Sequence, residues 1–183
     1  MNYKQIESLA TDILKLHNLF KTPIDVIKLA NKIGLKIIYH KMTDDISGML
    51  MIKDGNGIIG VNKSHPKVRK RFTIAHEIGH YSLKHHREGS IFVNQKQHTS
   101  ANIYRDKNSM KGEIWQEIEA NAFAASLLMP KQIILKEIQN LTIDLLGDSE
   151  TNEEAIILLA KKFTVSKQSM VIRLSNLNVF NPL

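Results

Sequence analysis

Two histidines separated by three residues, with a glutamate directly after the first, are the part of this chain best suited to chemistry. The segment reads His76-Glu77-Ile78-Gly79-His80. On a helix, positions i and i+4 lie one turn apart on the same face, so both imidazoles can reach one metal ion. Glu77 then projects beside that ion, where its carboxylate can act as a general base. The spacing therefore predicts a hydrolytic zinc site.

The residues before this motif have helical spacing. Apolar side chains recur at Val68, Phe72 and Ala75, as expected for one face of a helix. Ser64 can cap the start of that helix, with Pro66 in its first turn. We therefore expect the motif to lie within a helix; the alternative is a pair of solvated histidines on an amphipathic surface helix.

A catalytic zinc site needs a third protein ligand, and the chain contains no cysteine, so that ligand must be His, Asp or Glu. A second helical run, residues 113–129, ends before Pro130. On one edge of its apolar face Glu117 can bind the metal, while Asn121, one turn later, supports a ligand histidine from behind. Glu119 points away from that edge and is expected to be solvated. The alternative is that these acids are ordinary surface charges.

Together these two runs resemble the ImmA/IrrE family of metallopeptidases. The matching segments are residues 71–80 and 117–130, and the approach to the motif, residues 60–66, is similar as well. The resemblance covers roughly residues 20–135. It implies a zinc-dependent, thermolysin-like peptidase core.

The resemblance also assigns roles and a partner. His76, His80 and Glu117 match the family's zinc ligands, and Glu77 matches its base. Family members are commonly found beside helix-turn-helix repressors in mobile elements or stress-response loci, and they relieve repression, in several cases by cleaving the repressor. The implied substrate is therefore a protein, a helix-turn-helix transcriptional repressor.

Length and composition suit a single compact domain with a real core. The chain has 183 residues, of which 43% are hydrophobic, an ordinary share for a globular protein. No apolar run reaches the length of a membrane span, and the N-terminus lacks the apolar core of a secretion signal. Without cysteine there is no disulfide framework. We therefore expect a cytoplasmic protein with no membrane partner.

The net charge of +7 permits attraction to nucleic acid or to acidic proteins. The basic residues are spread along the chain, however, and their densest patch leads into the motif helix. A patch of this kind is usually a solvated helix face, so direct nucleic-acid binding stays open but is not favoured. Its members are Lys63, Lys67, Arg69, Lys70 and Arg71.

The remaining patterns predict an α+β fold. A small antiparallel-containing sheet packs on helices to form a minimal gluzincin-like zinc-peptidase core, followed by a C-terminal helical subdomain. Helical spacing covers residues 3–19 and a segment ending at Gly34. The predicted strands are residues 35–40, a hairpin of 48–53 and 58–62, and 91–93.

Residues 84–112 show little periodicity and form a long loop of a kind that is often functional. A hydrolytic site gains from a donor that stabilises the developing oxyanion. His98 or Tyr104 can serve as this transition-state stabiliser, and the sequence does not choose between them. His85 and His86 break the four-residue spacing of the motif and are excluded as metal ligands.

The C-terminal residues 141–183 have the outline of a helix-turn-helix. A capping box at residues 151–154 starts one helix, and Ser166 can cap the next. As a DNA reader the second helix would need more positive charge than Lys167 and Arg173 provide. We therefore expect this tail to pack on the core.

The preferred hypothesis is a zinc metalloendopeptidase whose catalytic domain spans residues 1–140. One alternative is a non-proteolytic regulator that binds a repressor or DNA, with residues 141–183 as the reader. Another is a metal-sensing or structural zinc module. That alternative needs a fourth protein ligand, for which the chain offers no cysteine.

Overall fold

The computed structural model describes residues 1–53, 56–85, 91–95, 107–144 and 151–179. These residues form seven helices and one four-stranded sheet, which confirms the predicted α+β class. None of the helices within these ranges is both long and apolar enough to cross a membrane. In chain order the elements are α1 (Tyr3–Leu16), α2 (Val26–Lys32), β1 (Leu35–His40), β2 (Ile46–Lys53), β3 (Asn56–Asn62), α3 (Lys67–Ser82), β4 (Ile91–Gln95), α4 (Lys107–Leu128), α5 (Lys131–Asp144), α6 (Thr151–Phe163) and α7 (Lys167–Asn176).

The sheet is mixed, with the strand order β1-β3-β2-β4. β1 runs parallel to β3, whereas β2 is antiparallel to both β3 and β4. The predicted hairpin is β2–β3, in which Lys53 pairs with Asn56. β4 lies at one edge, and its backbone pairs with β2 from Ile46 to Met51.

Helix α3, which carries the motif, lies between the sheet and α4. Every residue from Thr73 to His80 is buried, on all faces of the helix. Gly79 lets α4 pack closely against α3. A Cβ at this position would lie 3.1 Å from the Ala120 carbonyl oxygen and 3.2 Å from Phe123 Cδ1. The motif is therefore held in the interior by rigid elements on two sides.

The start of α3 differs from the expectation. Ser64 does not cap it; the helix begins at Lys67, with Pro66 in the cap position and no side-chain cap. The Ser64 N–H instead donates to Asn62 Oδ1 at 3.1 Å. This bond ties the Ser64 backbone to the end of β3, before the helix begins.

Helices α6 and α7 belong to the same apolar core as the sheet and α3. Phe163, Met170 and Leu174 are buried in one cluster with Ile59 and Ile74. Ser166 caps α7 as predicted, since its hydroxyl accepts from the Ser169 N–H at 3.1 Å. The C-terminal helices thus contribute to the packing that supports the motif helix.

A buried arginine joins α7 to the rest of the protein. The Arg173 side chain is fully buried, and its Nε donates to the Met129 carbonyl oxygen at 3.0 Å. Its other nitrogens bind the Tyr3 hydroxyl and the Glu7 carboxylate of α1. A burial this complete is compatible with a charge only because each nitrogen has a partner.

Replacing Arg173 with Met is expected to lower the free energy of unfolding by about 2 to 4 kcal/mol. The substitution keeps an apolar stem but leaves the Met129 carbonyl without its donor and Glu7 without its cation. Denaturant unfolding measures the effect. Ile172→Ala, on the exposed side of the same helix, is the control and should change stability by much less; equal losses would contradict the role given to Arg173.

Candidate metal centre

α3 places the two motif histidines side by side, as their spacing requires. His76 Nε2 lies 2.9 Å from His80 Nε2, and each residue is 1% exposed. The rings meet edge to face, with centroids 4.6 Å apart. One nitrogen of each imidazole therefore points to a common position.

α4 brings a carboxylate to the same position. Glu117 Oε2 lies 3.2 Å from His76 Nε2, and Glu117 Oε1 lies 3.1 Å from His80 Nε2. One ligand atom from each of the three residues can be chosen so that all lie within 4.8 Å of one another. The Glu117 side chain is 28% exposed, so the cluster is reached by solvent from this side.

Asn121 stands behind His76, one helical turn after Glu117. Its Oδ1 lies 3.0 Å from His76 Nδ1, at the end of the ring that faces away from Glu117. With the amide oxygen as acceptor, the proton resides on Nδ1, and the lone pair of Nε2 faces the carboxylate.

The donor set fits a divalent cation. His76 Nε2 and the two Glu117 oxygens are all acceptors, and acceptors this close need a proton or a cation between them. Two imidazoles and a carboxylate are ligands that zinc prefers, and three protein ligands leave one position for water. His76, His80 and Glu117 could therefore hold such an ion.

The electrostatics of the cluster also favour a bound cation. Burial alone lowers the pKa of His76, but the Glu117 hydrogen bond and the charges of Glu77 and Glu117 raise it above its ordinary value. Burial alone raises the pKa of Glu117, yet hydrogen bonds to His76 and His80 bring that pKa well below its usual range. The cluster thus keeps a carboxylate ionised and attracts positive charge.

Glu77 is buried beside the cluster. The residue is 1% exposed, and among the described residues neither carboxylate oxygen finds a donor. Burial raises the pKa of Glu77 to about 8; the charge of His76 opposes this rise, and that of Glu117 adds to it. A buried carboxyl with both oxygens unpaired beside a cation-attracting cluster is the arrangement expected of a proton-transfer group.

The close approach of β2 confines Glu77. A Cβ at Gly48 would lie 2.4 Å from Thr73 Cγ2, 2.7 Å from the Gly60 carbonyl oxygen and 3.7 Å from Glu77 Oε1. Only a residue without a side chain fits between the helix and the neighbouring strand here. The sheet therefore forms the wall against which the Glu77 carboxyl rests.

The expectation for Glu119 was wrong. Its carboxylate is not solvated but lies 3.0 Å, through Oε2, from His85 Nε2, and its Oε1 contacts the Met1 amino group. His85 Nδ1 in turn lies 3.2 Å from His80 Nδ1. Sequence reasoning missed this pair because His85 follows the end of α3, where helical spacing no longer predicts which side chains meet.

His98 and Tyr104, the two candidates for oxyanion stabilisation, lie outside the described residues, as does His86.

Within the basic patch, two arginines make internal hydrogen bonds. Arg69 Nη2 donates to Ser47 Oγ at 2.6 Å, and Arg71 donates to the carbonyl oxygens of Thr164 and Ile24 at 3.2 and 2.9 Å.

The described residues thus form an α+β domain built around a His-His-Glu cluster on two packed helices. Residues 30–175 match the IrrE N-terminal-like domain of peptidase family M78, so the chain belongs to this family. The resemblance drawn from the motifs is confirmed.

Two similar proteins extend the comparison. The uncharacterized immunity region protein 2 of Bacillus phage phi105 is 27% identical over 107 residues, which are 58% of this chain and 60% of the phage protein. The chain thus matches less than two thirds of that relative. A solved structure of a Mycobacterium tuberculosis transcriptional regulator superposes with a TM-score of 0.62 at 15% identity, over 94% of this chain and 46% of the regulator. This second likeness shows the fold alone.

Proposed function

We propose that this protein is a zinc-dependent endopeptidase that cleaves a helix-turn-helix transcriptional repressor. The observation that carries the enzymatic part is the convergence of His76, His80 and Glu117 beside the buried carboxyl of Glu77, which has no hydrogen-bond donor in the part of the chain that the structure describes. A site that only stored or sensed a metal would have no use for that carboxyl, whose burial costs stability.

His76, His80 and Glu117 would hold the zinc. When bound, zinc supplies Lewis acidity, which lowers the pKa of a water molecule and polarises a peptide carbonyl. Glu117 arrives from a second helix and is partly exposed; the cluster can therefore stay open to water and substrate.

Glu77 would be the general base and then the general acid. It takes a proton from the water that attacks the scissile carbonyl, and it passes that proton to the leaving amine. The pKa of about 8 favours the protonated carboxyl at neutral pH, and a positive charge held beside it shifts the balance toward the carboxylate that can accept a proton. Because β2 packs against it, the carboxyl has one narrow range of positions.

Asn121 would orient His76. By accepting from Nδ1–H at 3.0 Å, the amide keeps the Nε2 lone pair directed at the cluster. Such bonds raise the basicity of a ligand and fix its ring direction.

The substrate proposal rests on the family and on the relative from a phage immunity region. Immunity of this kind depends on repressors, which supports a repressor as the protein that is cut. Because a repressor works on DNA, the reaction takes place in the cytoplasm. The edge strand β4 supports a peptide substrate as well: it pairs with β2 next to Gly48, and an extended chain can add to such an edge.

The regulator alternative, in which the C-terminal helices read DNA, is disfavoured by one residue. Arg173 supplies one of the two positive charges named for α7, but its side chain is fully buried and bound to Met129, Tyr3 and Glu7. It cannot reach a base or a phosphate. A protein partner is therefore the better proposal.

Metal analysis tests the site. We expect one zinc per chain in the purified protein, and a loss of most of that zinc in His76→Ala and in Glu117→Ala, because two remaining ligands hold the ion weakly. Mass spectrometry of the metal content measures both. His40→Ala, which removes an exposed histidine on β1, should leave the stoichiometry at one; full zinc in His76→Ala would contradict the proposed ligands.

Incubation with a repressor tests the activity. A search of the neighbouring genes for a helix-turn-helix repressor supplies the probe, which is then mixed with the zinc-loaded protein. Mass spectrometry of the products should find a single major cut that chelation prevents. An intact repressor in a stable stoichiometric complex with the zinc-loaded protein would instead favour the non-proteolytic regulator.

A further inference from the structure

We propose that His85 and Glu119 are positioning residues that fix the tautomer and ring direction of His80 and thereby set the affinity of the cluster for zinc. The proposal rests on the metal site proposed above and adds a support for its second histidine. Each histidine of the motif then has its own partner behind the ring, Asn121 for His76 and the His85–Glu119 pair for His80.

The contacts form an unbroken chain from the surface to the cluster. Glu119 Oε2 lies 3.0 Å from His85 Nε2, and His85 Nδ1 lies 3.2 Å from His80 Nδ1. His80 Nε2, at the other end of that ring, faces His76 and Glu117. The His85 side chain is only 7% exposed and that of Glu119 19% exposed, so water competes little for these bonds.

A neutral His85 fixes the positions of the protons between Glu119 and His80 Nδ1. A carboxylate only accepts, so His85 Nε2 carries a proton and donates it to Glu119. In a neutral His85 the Nδ1 is then an acceptor, and His80 Nδ1 must donate to it. With a cation in the cluster, the Nε2 of a neutral His80 presents its lone pair to that cation, which is the form that binds a metal.

The rings also hold each other in place. His80 and His85 meet edge to face, with centroids 5.3 Å apart and an interplanar angle of 72°. His85 directly follows the turn that ends α3, where its N–H donates to the His80 carbonyl oxygen at 3.0 Å. The backbone thus fixes the residue that supports the ring, and Glu119, two residues after Glu117, ties it to α4.

Two substitutions of His85 separate its contacts. The oxygen of Asn can take the position of Nδ1 and accept from His80, whereas Gln extends to the position of Nε2 and reaches Glu119 instead. Competition with a chelating dye measures the zinc affinity of the full chain. We expect His85→Ala and His85→Gln to bind zinc about 10- to 100-fold more weakly, with His85→Asn between these variants and the parent. The matched control is His40→Ala.

A double-mutant cycle tests whether Glu119 acts through His85. Glu119→Ala should weaken zinc binding by about tenfold in the parent, and should add nothing in His85→Ala, because the residue through which it acts is gone. Glu154→Gln, an exposed acid on α6, is the control. Equal losses in both backgrounds, or His85→Ala binding zinc as tightly as His40→Ala, would overturn the proposal.

Nitrogen-15 spectra of the histidine rings provide a readout that loss of packing alone does not move. In the chelated parent His80 should carry its proton on Nδ1, and in His85→Ala this preference should weaken, with His85→Asn restoring it. An unprotonated Nδ1 in the chelated parent overturns the positioning role. This measurement needs no zinc, so it is distinguishable from a failure of the metal site, which would appear as a parent that binds no zinc in the dye assay.

Discussion

Replacing Glu77 with Gln is expected to lower the rate of repressor cleavage by about 10²- to 10⁴-fold, the range over which a general acid-base group contributes. The amide keeps the shape of the carboxyl and fits against β2, but it cannot accept a proton from water. The substitution leaves His76, His80 and Glu117 in place, so the zinc content should remain that of the parent. Single-turnover cleavage and metal analysis of the same preparation measure the two quantities.

The control for this loss is another acid far from the cluster. Glu154→Gln changes the net charge by the same amount on an exposed face of α6 and should cleave at the parental rate. Undiminished cleavage by Glu77→Gln would remove Glu77 from the mechanism while leaving the metal site intact. Loss of both cleavage and zinc would mean that Glu77 supports the cluster structurally.

The geometry of the candidate ligands could be predicted where these residues follow helical spacing. The separation of His76 and His80 set their geometry, because a helix has only one way to present positions i and i+4. The same rule set Glu117 and Asn121 on one edge of α4, and the structure brings both to the motif histidines. Their roles stay predictions until the metal measurements are made.

Contacts made by residues that follow the end of a helix could not be predicted from the sequence, because the direction of the chain there has no fixed period. His85 lies beyond α3, and no periodicity connects it with His80 or with Glu119 on another helix. The helical wheel correctly turned Glu119 away from Asn121, but it could not show that His85 lies on the other side. A helical wheel gives the direction of an acidic side chain, but it does not show whether another part of the chain supplies a partner for it.

The burial of charges could not be predicted for a similar reason. The patch that contains Arg71 reads as a solvated helix face and Arg173 as a charge for a DNA reader, yet Arg71 donates to two backbone carbonyl oxygens of other segments and Arg173 to one. Those carbonyls come together only when the helices pack. The division into residues 1–140 and 141–183 remains a prediction, although α6 and α7 share the core of the preceding elements.

The same Glu77→Gln variant is expected to be more stable than the parent in the metal-free protein at alkaline pH. The pKa of Glu77 is about 8 in the folded protein, against an ordinary value of 4.5. A group whose pKa is raised by folding contributes stability that is fully present below its unfolded pKa and is lost as pH rises through the folded pKa. The parent should therefore lose stability between about pH 4.5 and 8 from this one carboxyl, and the glutamine variant should not.

The difference between the two proteins cancels the groups that do not interact with Glu77 and leaves the contribution of Glu77 together with its coupling to His76 and Glu117. In chelator, their free energies of unfolding should nearly coincide at about pH 5 and should differ by a few kcal/mol at about pH 8, since each unit of pKa shift corresponds to about 1.4 kcal/mol. Urea unfolding at a series of pH values measures it. Zinc should narrow the gap at pH 8, because a cation beside Glu77 stabilises its ionised form. A gap that is the same at every pH would show that Glu77 does not change its ionisation on folding, and its place in the proton transfer would lose its physical basis.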